Sequence, residues 1–118
     1  MTTELEQIAA VLQAIACLIK GYDKELHDYV LDCLERVRGA DPMTPTADSL
    51  RCLLGPEWWG GMGSMADQIL DDGILANRRQ VEADNTRYEQ LLGTLAKLLT
   101  DLGCGGPRIN YIRKEYGP

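Results

Sequence analysis

Residues 8–19 read IAAVLQAIACLI, an apolar run interrupted only by Gln13. A bilayer span needs roughly 20 such residues, so the run is too short to cross a membrane. Glu4 and Glu6 precede it, with no lysine or arginine, and no small-residue cleavage site follows at the expected distance, so it does not read as a secretory leader. The remaining reading is a core helix. Thr3 and Glu6 have the spacing of a capping box, and Gly21 offers a stop, which predicts a helix over 3–20. Leu5, Ile8, Leu12, Ile15 and Ile19 recur at helical spacing, and Val11 and Leu18 widen the stripe until little polar surface is left. Such a helix needs neighbours on more than one side, or a second copy of the chain.

Working outward, the next segment predicts a helix capped by Asp23 and running to Arg38, with Gly39 as its stop. Leu26, Tyr29, Val30, Cys33, Leu34 and Val37 fall on one side of it. Glu25, Asp28, Asp32 and Glu35 fall on the other, at spacings that build a ridge of carboxylates. The ridge reads as a binding surface or as a plain solvated face. Pro42 and Pro45 mark a loop. A short helix is expected over 46–54, closed by Gly55-Pro56, and another from Ser64 to Asp71 or Asp72, interrupted by Gly73. A long helix is expected over 77–102, ended by Gly103, with Val81, Tyr88, Leu92, Leu95, Leu99 and Leu102 facing inward. Asp84 and Asn85 interrupt that stripe. The first half of the helix is polar nearly all round, so it either projects or lines a polar cleft. Ile109, Ile112 and Tyr116 predict one more short helix. No run alternates with a strand period, and no repeat is visible. The fold class is therefore all-α: residues 1–118 form a single-domain bundle of about four to six helices with a Trp/Gly-rich loop.

The formal net charge is −6 at pH 7, which disfavours nucleic acid as a partner. Residues 1–77 carry 13 acidic and 5 basic side chains, and residues 78–118 carry 5 and 7. This asymmetry points to a negative face able to attract a basic protein, or simply to a soluble surface. Cys17, Cys33, Cys52 and Cys104 contain no close pair of zinc-ligand type, and His27 is the single histidine. Reduced thiols in the cytoplasm are the expectation.

Between the helices lies Glu57-Trp58-Trp59-Gly60-Gly61-Met62-Gly63-Ser64. Four of its eight residues are glycine or serine, so burial of the rings must anchor it, or the rings await a partner. Adjacent side chains point apart. One tryptophan could enter the core and leave the other as an interface anchor, or both could be core. Gly61, Gly63 and Ala66 match the dinucleotide fingerprint in form, but no strand precedes them, and Asp67, Asp71 and Asp72 would repel a pyrophosphate. Gly63 is followed by Ser64, where a P-loop requires lysine, and Ser64 reads as a helix cap. Asp67 and Asp71 would share one helical face, with Asp84 and Asn85 as speculative further ligands for a divalent ion. His27 is expected beside Asp23 or exposed on the surface, and no nucleophile stands in a catalytic context.

From Trp59-Gly60-Gly61-Met62-Gly63-Ser64 on to Asp67, the sequence resembles a group of small bacterial proteins that share a Gly-Met-Gly-Ser segment followed by an acidic residue. Some of these resemble immunity proteins, the cytosolic antidotes to delivered toxins. The resemblance covers under a tenth of the chain. It implies a small, acidic, helical, non-enzymatic binder with no cofactor and no metal. The expected partner is a cognate protein toxin with a basic surface, and neither nucleic acid nor membrane. Partner contact is expected from Glu25, Asp28, Asp32, Glu35, Trp59, Met62, Asp67, Asp71 and Asp72. A metal-dependent helical enzyme with a cleft lined by Asp67, Asp71, Asp84 and Asn85, or a self-associating adaptor that forms a homodimer, are the alternatives.

Overall fold

The computed structural model describes residues 3–39, 50–60 and 63–117. Among them there are five α-helices and no strand, an all-α bundle in one compact body. The principal extents are 48 × 28 × 26 Å. Met62, the Pro42–Pro45 loop and the first part of the helix expected over 46–54 lie outside the described residues.

Helix α1 spans Glu4–Ile19, and its N-cap Thr3 accepts a hydrogen bond from the Glu6 N–H at 3.2 Å. Ile8, Leu12, Ile15, Ala16 and Ile19 are wholly buried in it. Val11 and Leu18 are half-buried against the same core. The many-sided apolar surface is therefore covered within one chain, by α2 and by the long helix that follows. Helix α2 spans Lys24–Arg38, with the Asp23 carboxylate accepting from the Leu26 N–H at 3.1 Å. The tight connection between them makes a helical hairpin. Val30, Cys33, Leu34 and Val37 are buried, while Glu25, Asp28, Asp32 and Glu35 stand in solvent.

A 3-10 turn at Arg51–Leu53 leads into the one-turn helix α3, Pro56–Trp59. Both tryptophans enter the core, Trp58 at 0 % and Trp59 at 4 % exposure. Their rings lie 6.1 Å apart, and Trp58 also packs on Tyr29 of α2 at 6.2 Å. The Trp59 Nε1 donates to the Leu53 carbonyl at 2.6 Å. This corrects the reading of Trp59 as a partner-facing anchor. Both indoles join Leu50, Leu53 and Met65 in anchoring this glycine-rich stretch to the core.

Helix α4 spans Arg78–Asp101, and α5 spans Pro107–Tyr116. Gly103, at φ +79°, ends α4: its own N–H reaches the Thr100 carbonyl, and the Cys104 N–H reaches that of Leu99, both at 2.9 Å. These are the two bonds of a Schellman cap. Gly93 lies mid-helix, where glycine costs about 1 kcal/mol relative to alanine. Its reason is steric, because a Cβ there would collide with the backbone of Tyr116 and Gly117 at the end of α5.

Gly93→Val should therefore lower stability by about 1–3 kcal/mol in urea unfolding, through overpacking between α4 and α5. Gly21→Ala, where an added Cβ meets open space, should stay within about 0.5 kcal/mol of the parent.

Candidate functional site

Between α3 and α4 the chain crosses the surface as an arm, residues 64–77. Ser64 and Asp67 predict a helix start here, but only a single 3-10 turn forms, Met65–Asp67. The Ser64 Oγ caps nothing and is buried without a partner. Beyond it the chain runs without regular structure from Gln68 to Ile74, then enters a second 3-10 turn at Leu75–Asn77. Asp67 and Asp71 therefore share no helical face.

Side chains from α4 hold the arm. The Tyr88 hydroxyl donates to the Met65 carbonyl at 2.5 Å. The Asn85 Oδ1 accepts from the Leu70 N–H at 2.7 Å. Its Nδ2 donates to the Leu70 carbonyl at 2.9 Å and to its own helix at Val81. Asp84 fastens α4 to the α1–α2 connection, accepting from the Tyr22 hydroxyl at 2.5 Å and from Gln80 at 2.8 Å. Asp84 and Asn85 thus both act as structural hooks. Farther toward the N-terminus of α4, Arg78, Arg79 and Gln80 project into solvent.

The arm's carboxylates brace its own turns. Asp67 accepts from the Gly63 N–H at 3.2 Å, and Asp71 from the Gly73 N–H at 2.9 Å. Asp72 takes the Ile74 N–H at 2.9 Å and the Asn77 Nδ2 at 2.8 Å. Those bonds, led by the one from Asn77, hold the Asp72 carboxyl below its ordinary range. Among the described residues no three His, Cys, Asp or Glu side chains are placed to hold a metal ion.

What the arm leaves outside is apolar. Ile69 is 82 % exposed, Leu75 81 % and Ile74 55 %, while Leu70 between them points inward. They rim a concavity of about 440 Å³, floored by Leu70, Val81 and Asn85 and edged by Asp71, Arg78 and Glu82. The sequence reading missed these three residues, since isolated isoleucines and leucines read as core. The only available signal was local: two aspartates and a glycine stand between Leu70 and Ile74, a poor setting for a buried helix.

The α2 ridge is different. Glu25, Asp28, Asp32 and Glu35 are exposed, as expected, but no apolar anchor among the described residues accompanies them. Asp32 faces Arg36 at 3.4 Å, and Asp28 lies 3.1 Å from His27 Nδ1. His27, expected beside Asp23 or exposed, is instead half-buried beside Asp28, because the Asp23 carboxylate caps α2. Exposed pairs of this kind contribute little to stability. No helix among the described residues is long and apolar enough to cross a membrane.

No protein family matches the chain, and no curated protein or solved structure does so either.

Asn85→Ala should cost about 1–3 kcal/mol by stranding both backbone groups of Leu70. The Leu70 amide should then exchange hydrogen faster while the amides in the middle of α1 keep their protection. Tyr22 supplies a pH test. Its hydrogen bond to Asp84, helped by burial and by the charges of Asp84, Asp72 and Asp71, pushes its pKa up from 10.0 to about 12. The neutral phenol is the form that the fold favours. Its contribution is full below about pH 10 and is lost as pH rises through about 12. Tyr29 and Tyr88 are raised further by burial, so a phenolate absorbance titration should lose one of several late steps, the one near pH 12, in Tyr22→Phe, and Asp84→Asn should move that step to lower pH.

Proposed function

We infer that this chain is an immunity-type antidote, which binds a cognate protein toxin in the cytoplasm and inhibits it stoichiometrically without chemistry of its own. The observation that carries the reading is the arm: large apolar side chains held far out of the core on a backbone fixed from behind. Exposed apolar groups gathered on one braced segment are the ordinary makings of an interaction patch. The polar rim is Asp71 with the Arg78–Glu82 pair, closed at 3.2 Å, and Asp72 and Asp67 stand on the neighbouring turns of the arm. A toxin acting on nucleic acids or nucleotides carries a basic cleft, and a negative rim raises the rate of encounter with it. In this reading Ile69 and Leu75 are the desolvated anchors. Asp67, Asp71 and Asp72 orient the approach, and the α2 ridge of Glu25, Asp28, Asp32 and Glu35 adds long-range attraction.

A second copy of the chain is the other occupant that the same apolar trio would suit. Light scattering on the isolated protein separates the two. A monomer supports a foreign partner, whereas a dimer that Ile69→Ser with Leu75→Ser disperses supports self-association.

The direct experiment is co-expression with the product of the neighbouring gene, reading growth rescue and complex formation. Ile69→Ser with Leu75→Ser should weaken the complex by about 1,000-fold, two lost anchors at about 2 kcal/mol each, and leave unfolding unchanged. Changing the four ridge carboxylates to lysine should slow association and flatten its salt dependence. A complex whose affinity ignores the Ile69 and Leu75 changes would show that the arm is not the contact surface.

A further inference from the structure

Away from the arm, a second cavity of about 670 Å³ opens where the Arg51–Leu53 turn lies across α2. Cys33 from α2 and Cys52 from the turn both line it, with Arg36, Arg51, Asp32 and Glu57 around them. All four cysteines of the chain are free thiols. These two lie within hydrogen-bonding reach of each other, although they are far apart in sequence. Cys33 is buried and Cys52 is half-buried.

Trp58 adds an independent observation. Its ring is wholly buried, yet its Nε1 has no hydrogen-bonding partner in the protein. An orphaned indole N–H in a dry interior is costly and rare. It lies close enough to the Cys33 sulfur to favour a negative charge there, although it makes no hydrogen bond to it. A neutral thiol accepts such a bond poorly, but a thiolate accepts it well. The Tyr29 hydroxyl, which makes a long 3.4 Å bond to the Cys52 carbonyl, stands within reach of the same sulfur.

We propose that Cys33 and Cys52 form a peroxide-oxidisable dithiol, in which Cys33 is the attacking thiolate and Cys52 the resolving thiol. The Cys33 thiol is drawn below its ordinary range, first by the Cys52 thiol and, against the opposing effect of burial, by Trp58 and Tyr29. Donating to Cys33 pushes the Cys52 thiol up, so Cys52 keeps its proton until Cys33 is oxidised. Hydrogen peroxide is the oxidant. The Cys33 thiolate attacks one peroxide oxygen, forming an S–O bond as the O–O bond breaks. The departing hydroxide takes a proton to become water. The Cys52 sulfur, giving up its proton, then attacks the Cys33 sulfenic sulfur. The S–S bond forms, the S–O bond breaks, and the second hydroxide leaves as water. Two thiols are oxidised by two electrons, and one peroxide is reduced to two waters. The resulting disulfide would tie α2 to the turn that precedes the tryptophans.

The test treats the reduced full-length chain with hydrogen peroxide, blocks the remaining thiols with N-ethylmaleimide at timed intervals, and maps peptides by mass spectrometry. The expected product is an intramolecular Cys33–Cys52 link, lighter by two hydrogens and reversed by dithiothreitol. It should appear several-fold sooner than oxidation of the exposed Cys17. In Cys52→Ser, Cys33 should stop at the sulfenic acid, which dimedone traps. Oxidation of Cys17 ahead of the pair, or no link between Cys33 and Cys52, overturns the proposal. Both readings come from the unaltered chain, so they do not depend on how the substituted protein folds.

Discussion

Both main-chain groups of Leu70 are satisfied by one side chain, the Asn85 amide on α4. A stretch with no helix or strand of its own must find partners for its backbone from elsewhere or remain in water. Residues 64–77 meet that requirement from two directions. The long helix supplies Asn85 and Tyr88, and the arm's own aspartates close its turns. The path of the arm follows from those bonds. Leu70 is drawn inward because its peptide groups are held, and its neighbour Ile69 is consequently turned outward. The apolar patch is therefore a product of backbone hydrogen bonding rather than of a hydrophobic pattern.

The rest of the bundle rests on simpler terms. Helix α1 carries apolar side chains on most of its surface and is sandwiched between α2 and α4, so its burial supplies much of the core. Residues 50–60 are anchored by Leu50, Leu53, Trp58 and Trp59. The same burial leaves one indole N–H orphaned beside Cys33, a local conflict between packing and polar satisfaction. Conflicts of this kind in an otherwise consistent structure are where function is worth seeking.

The helical frame was legible in the sequence because its signals are local. Thr3, Asp23 and Gly103 act at the termini where their spacing places them, and the apolar stripes of α1, α2 and α4 face inward. Asp84 and Asn85 were legible as anomalies in a core stripe, but their roles were not. Their partners, Tyr22 and Leu70, are 62 and 15 residues away. The helix expected from Ser64 fails for a related reason. Asp67 and Asp71 have helical spacing, but aspartates spaced like this can equally close turns of the main chain, and Asn85 outbids the local preference. Of the expected contact residues, Trp59 is buried, and Asp67, Asp71 and Asp72 close turns of the arm instead of sharing a helical face. The α2 carboxylates stand where the helical period places them.

Placing both indoles of the chain in the four-residue helix α3 has an optical consequence. Intrinsic fluorescence from this protein originates in one small segment rather than across the bundle. Emission should be shifted to the blue while that segment is seated. A red shift at constant far-ultraviolet ellipticity would then report that α3 had lifted from its helical support before the support itself came apart.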